Sequence, residues 1–153
     1  MKRILTLTIA LVIASSSFSQ STRKTLIDNK DCITNIQEIK DGDTSYYAYI
    51  CFQNAEYKYL TDRKYLMFMH KEDLDAFVSD LSKMIETTVD KGSVTTIEGK
   101  NWRITKGYNY TSLEADGGWC FLGITDFPGK AGKKYAETPS RMVEILKSCK
   151  MNK

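Results

Sequence analysis

The stretch Cys32–Phe52, CITNIQEIKDGDTSYYAYICF, decides how the rest of the chain is read. Two runs rich in isoleucine, threonine and tyrosine flank Asp41-Gly42, and such β-branched and aromatic residues fit a pleated sheet. Asp-Gly is a strong signal for a two-residue hairpin turn, because both turn residues must adopt positive φ. The pattern predicts antiparallel strands over Cys32–Lys40 and Asp43–Phe52. With Asp41-Gly42 as the turn, Lys40 faces Asp43 and Cys32 faces Cys51. Directly paired strand residues lie about 4.5–5.5 Å apart at Cα, within the usual span of a disulfide. Alternation sorts the side chains: Tyr47, Tyr49 and Cys51 share one face, and Tyr46, Ile50 and Phe52 the other.

Downstream, a polar stretch from Tyr57 to Lys64 leads to a short apolar strand, Tyr65–Met69, and then to a helix over about Lys71–Asp90. Leu74, Phe77, Val78, Leu81, Met84 and Ile85 follow the three-four spacing of one helix face. Glu72 and Asp73 suit its positive end, and Gly92 suits its stop. Four strand-like segments follow at Ser93–Ile97, Trp102–Lys106, Tyr108–Glu114 and Trp119–Ile124, with turns at Gly99-Lys100 and Asp116-Gly117-Gly118. A loop over Asp126–Lys134 precedes a second helix, Pro139 to about Cys149, capped by Thr138 and buried along Met142, Ile145, Leu146 and Cys149. The fold class is α+β: antiparallel sheet with two helices packed on it, readable as a duplicated βββ(β)α unit. An internal echo supports duplication, since Cys51-Phe52 and Cys120-Phe121 each precede a helix, and Phe77, Val78 and Leu81 match Met142, Val143 and Leu146 in spacing.

That doubled strand-strand-strand-helix order, over roughly residues 32 to 149, resembles the arrangement of whirly and PC4-type single-strand nucleic-acid-binding proteins. The resemblance implies a fold, and it brings single-strand binding with it as one functional reading.

Upstream, Lys2 and Arg3 precede an apolar run, Ile4–Ala14, and small residues ending Ser17-Phe18-Ser19. This is the layout of a cleaved secretory signal peptide, residues 1–19, and predicts an exported protein, periplasmic or secreted. The run is shorter than the roughly 20 apolar residues a membrane span needs. Residues 20–31 are polar and read as a loosely held arm, and residues 32–153 as a single domain. Cleavage leaves 134 of the 153 residues, enough for one core. Losing Lys2 and Arg3 takes 22 basic residues to 20 against 19 acidic ones, so no polyanionic partner is implied. Four cysteines in an exported chain read as two disulfides, Cys32–Cys51 from the hairpin register and Cys120–Cys149 by elimination. Pairing Cys51 with Cys120 and Cys32 with Cys149 is the competing connectivity. The closest pair is 19 positions apart, too wide for a zinc motif.

No cofactor or metal signature is present. His70 is the one histidine, placed at a strand-to-helix junction, with no Gly-x-Ser-x-Gly elbow anywhere. Pro128-Gly129-Lys130-Ala131-Gly132-Lys133-Lys134 has the glycine and lysine of a phosphate loop, but its glycines are too close and the helix starts too late. Asp41, Asp43 and Asp116 sit in turns, where aspartate bonds its own backbone. Asn109-Tyr110-Thr111 matches the glycosylation acceptor pattern. What stands above background is the aromatic content of the strands, from Tyr46, Tyr47, Tyr49, Tyr57, Tyr59 and Tyr65 to Trp102, Tyr108, Tyr110 and Trp119. The chain reads as a small, non-enzymatic binding module for a protein, peptide or glycan, with Tyr47, Tyr49, Trp102 and Tyr110 as candidate contacts. The alternatives are a small secreted hydrolase using His70 or a carboxylate, and the single-strand nucleic-acid binder.

Overall fold

A computed structural model describes residues 21–28, 32–57, 62–122 and 139–152. The segment 1–19, the start at Gln20, the loop 126–134 and the Thr138 cap lie outside the described residues. The element order is β1 (Ser21–Asp28), β2 (Ile33–Lys40), β3 (Asp43–Gln53), β4 (Arg63–Phe68), α1 (Lys71–Glu86), β5 (Val94–Glu98), β6 (Arg103–Gly107), β7 (Tyr110–Ala115), β8 (Gly118–Phe121) and α2 (Pro139–Ser148). Strands β1–β4 form one antiparallel sheet and β5–β8 a second, each with neighbours in chain order. The fold is α+β, a ββββα unit used twice.

The central hairpin follows its turn. Asp41 and Gly42 both take positive φ, 53° and 89°, and β2 pairs with β3 from Lys40↔Asp43 to Ile33↔Ile50. The Cys51 amide donates to the Cys32 carbonyl at 2.7 Å, which carries the expected pairing one residue further. The side chains then part. Cys32 turns into the core at 4 % exposure, whereas Cys51 stays on the outer face, where its Sγ accepts from the Arg63 guanidinium at 3.7 Å. All four cysteines are thiols in this structure.

The segment read as a loose arm contains a strand instead. β1 pairs along β2 from Ser21↔Lys40 to Asp28↔Thr34, with a bulge between Thr25 and Ile27. Its polar side chains hold it: Glu38 accepts from Ser21 Oγ at 2.7 Å and Arg23 Nε at 2.9 Å. As an edge strand it stays mostly exposed and has no apolar alternation to betray it. Helix α1 also ends earlier than the expected span to about Asp90, at Glu86, just past the last residue of its stripe, with Thr87 extended at ψ 128°. The β-branched run Thr87-Thr88-Val89 disfavours further helix. The internal echo is split by the strands: Cys51 lies on the third strand of its unit and Cys120 on the fourth, so only the helix positions are equivalent.

The two units share one core. Each sheet turns an inner face to the helices, and Phe68, Phe77 and Trp102 meet there with ring centroids 5.3 to 6.3 Å apart. Two buried polar residues tie the units crosswise. Lys106 on β6 donates through Nζ to the carbonyls of Met84 (2.7 Å), Ile85 (3.0 Å) and Thr87 (2.5 Å), the open end of α1. Burial pushes the pKa of this ammonium below the ordinary lysine value, and the carbonyl cage compensates for lost water. Asn35 on β2, fully buried, donates through Nδ2 to the carbonyls of Tyr47 and Lys150 and accepts from the Lys150 amide, each at 2.9 Å. Asn152 adds a second brace, donating to the Tyr46 carbonyl at 3.1 Å and accepting from its amide at 3.0 Å.

Lys106→Met keeps the volume and strips the donors from α1's last carbonyls. The expected loss is about 1–3 kcal/mol in urea denaturation, with faster hydrogen exchange in the last turn of α1. An unchanged midpoint would show that the ammonium contributes nothing.

Candidate functional site

The inner sheet faces are committed to the core, and the outer faces remain open to solvent. On the outer face of the β5–β8 sheet, three successive hairpins bring residues far apart in sequence into cross-strand rows. Glu98 pairs with Arg103, Arg103 with Glu114 and Glu114 with Trp119, a row spanning all four strands. Beside it run Thr96, Thr105, Ser112 and Phe121, then Val94, Gly107 and Tyr110. Arg103 is the hinge of the first row: its Nε donates to Glu98 at 3.0 Å and its Nη1 to Glu114 at 3.1 Å. All three side chains remain about half or more exposed. Thr96 and Thr105 share a hydroxyl hydrogen bond at 3.1 Å in the second row.

One end of this face carries a continuous aromatic series. Tyr110 meets Phe121 edge-on at 6.4 Å, and Phe121 meets Trp119 edge-on at 4.8 Å. Gly107 makes room for the Tyr110 ring, which a Cβ there would strike. Trp119 is held by its backbone: its amide donates to Asn54 Oδ1 at 3.3 Å and its carbonyl accepts from the Ala55 amide at 2.7 Å. Asn54, itself buried, also accepts from the Glu56 amide and donates to Asp62, so one amide group sets where β8 meets the first sheet. Gly118 allows that approach, because a Cβ would run into Lys64 and Asn54. An open cleft of ≈ 500 Å³ lies where the Gly99–Asn101 and Gly117–Gly118 turns meet the charged row, with Trp119 on its wall.

The four residues singled out from sequence are dispersed. Tyr110 belongs to the aromatic series. Trp102 is largely buried, 6 % exposed between Phe68 and Phe77 with its Nε1 donating to Asp80 at 3.2 Å, and it also lines the cleft beside the charged row. Tyr47 is buried as well, 9 % exposed on the first sheet. Tyr49 is half-buried there and packs edge-on against Tyr65 at 5.8 Å, beside exposed Met67. Tyr65 hydrogen-bonds the Cys51 sulfur, which raises the pKa of its phenol. His70 is exposed at the start of α1 and its side chain makes no cap bond. Asn109 of the acceptor pattern is exposed in the β6–β7 turn. Among the described residues, no three His, Cys, Asp or Glu side chains are grouped to hold a metal ion, and no helix is long and apolar enough to cross a membrane.

Sequence reasoning passed over Arg103, Glu98, Glu114 and Phe121, and Asn54 behind them. Each is ordinary alone; only the register of three hairpins makes them neighbours. No family model, curated protein or solved structure matches this chain.

The Asn54 amide is open to test. Asn54→Ala leaves the Trp119 and Glu56 amides without their acceptor, and the expected loss is about 1–3 kcal/mol in stability with red-shifted tryptophan emission. Asn54→Asp, which keeps the acceptor, should lose less; equal losses would mean the bond to Trp119 is unimportant.

Proposed function

We propose that this chain is a small exported binding module, not itself an enzyme, that takes a neutral glycan on the outer face of the β5–β8 sheet. The observation carrying the reading is the aromatic series Tyr110, Phe121 and Trp119 beside the Glu98–Arg103–Glu114 row. Aromatic rings offer apolar surface at little entropic cost, which suits the C–H faces of a sugar. The adjoining carboxylates, guanidinium and threonine hydroxyls offer acceptors and donors to its hydroxyl groups. Two carboxylates against one guanidinium make the row unattractive to a polyanion, which speaks against single-stranded nucleic acid. Export rests on the charged, apolar and small-residue layout of residues 1–19.

Screening of neutral oligosaccharides followed by calorimetry tests the binding reading. Trp119→Ala and Phe121→Ala should each weaken a bound glycan by about 1–2 kcal/mol, while His70→Ala should leave it unchanged. Binding of peptides only, or turnover abolished by His70→Ala, would replace the proposal with the peptide or the enzyme reading. For export, intact-mass analysis of protein recovered outside the cytoplasm should show a chain starting at Gln20; a chain retaining Met1–Ser19 would remove that part.

A further inference from the structure

We propose that two copies of this chain pair through the open edge of β5, antiparallel about Thr96, so that their second sheets run on as one. Among the described residues, β1, β4, β5 and β8 stand at the ends of the two sheets. Unpaired N–H and C=O groups at a sheet end are a template for another strand, and proteins blunt such ends with basic residues, prolines, bulges or cover. Three of these ends are blunted. β1 carries Arg23, Lys24 and a bulge between Thr25 and Ile27. β4 opens on Arg63-Lys64, whose charges a second copy would double. β8 is taken up at the seam between the sheets, where its Trp119 carbonyl accepts from the Ala55 amide at 2.7 Å and Gly118 leaves no room for a Cβ beside Lys64 and Asn54. β5 has none of these devices. Four of its five residues, Val94, Thr95, Thr96 and Ile97, are β-branched strand formers, and Val94 is 60 % exposed.

The hydrogen-bonding phase of β5 makes its edge self-complementary. The Gly99 amide donates to the Trp102 carbonyl at 2.9 Å, so Gly99 and Trp102 continue the β5–β6 register as a hydrogen-bonded pair. Antiparallel ladders alternate such pairs with non-hydrogen-bonded ones. Thr95 and Ile97 therefore commit their backbone groups to β6, while Val94, Thr96 and Glu98 turn theirs to the open side. The 3.1 Å contact between the Thr96 and Thr105 hydroxyls agrees, since side chains approach most closely in the non-hydrogen-bonded pairs. The three outward residues are spaced evenly about Thr96. A second β5, laid antiparallel with the partner's Thr96 opposite this one, exchanges both N–H···O bonds at that point. It does so again between Val94 and the partner's Glu98, once at each end of the seam. The side chains fit the same register: threonine meets threonine at the centre, a favourable cross-strand pair. Glu98, held by Arg103 at 3.0 Å, meets the partner's Val94 and no like charge.

The pairing sets the two outer faces on one side of a continuous sheet, and it stands whatever that face binds. Sedimentation of the full chain tests it, with reductant present so that no thiol crosslink contributes. The mass is expected to rise from one chain to two between about 10 µM and 1 mM, the weak range that suits so small an interface. Over the same range the amides of Val94, Thr96 and Glu98 should exchange hydrogen more slowly, while those of Thr95 and Ile97 are protected throughout. Thr96→Pro removes an N–H that β6 does not use, and Thr96→Lys sets two ammonium groups face to face at the two-fold axis. Each should abolish the rise in mass, and Thr96→Val, which keeps the backbone groups, should retain it. A chain that stays monomeric across the range, or a dimer that persists in Thr96→Lys, overturns the proposal. If Thr96→Pro does not fold, Thr96→Lys alone decides.

Discussion

Three carbonyls at the end of α1 need donors, and Lys106, from the other unit, supplies them. Much of the architecture depends on that constraint. A helix end buried without partners is costly, so α1 cannot sit on the core unless β6 is already beneath it. The mirror image holds at the second helix, where the backbone after α2 is received by Asn35 of β2. Both anchors come from the second strand of a unit and serve the helix of the other. The duplicated units therefore complete each other's helix ends rather than standing side by side.

This exchange explains the division of labour between faces. With the inner sheet faces and the buried stripes of both helices drawn into one cluster, the two outer sheet faces stay available. They differ in character. The first sheet offers Tyr49, Tyr65 and Met67 around a thiol, a soft apolar patch. The second offers rings graded into an acid-base-acid row and a line of hydroxyls, with a cleft at one edge. Mixed recognition needs that second combination, and it is reached only because Asn54 pins β8 against the first sheet.

Local chemistry made part of this legible. Asp41-Gly42 carries the register of β2 and β3 to the residue, since positive φ at both positions leaves few other turns. The stripe Leu74 to Met84 gave α1 its face, and the buried set matches it. What was not legible follows from equally specific causes. β1 has no apolar period because an edge strand buries little. Trp102 and Tyr47 read as exposed contacts because aromatic content does not reveal which side a strand residue faces. The Glu98–Arg103–Glu114–Trp119 row depends on three turns in succession, and one slipped residue would send a strand's side chains to the opposite face. Lys106 was counted among ordinary charges, and only the end of α1 shows why a charge is kept inside.

The bracing of β2 and β3 by Lys150 and Asn152 also bears on the order in which the molecule folds. Asn35 must wait for Lys150, and Tyr46 for Asn152, so the first sheet stays incomplete until the backbone after α2 has docked. The partners stand 115 and 106 positions apart in the chain, and closing so long a loop costs entropy before any contact rewards it. Local hairpins can therefore form early, whereas the brace that fixes the central hairpin is a late, long-range closure.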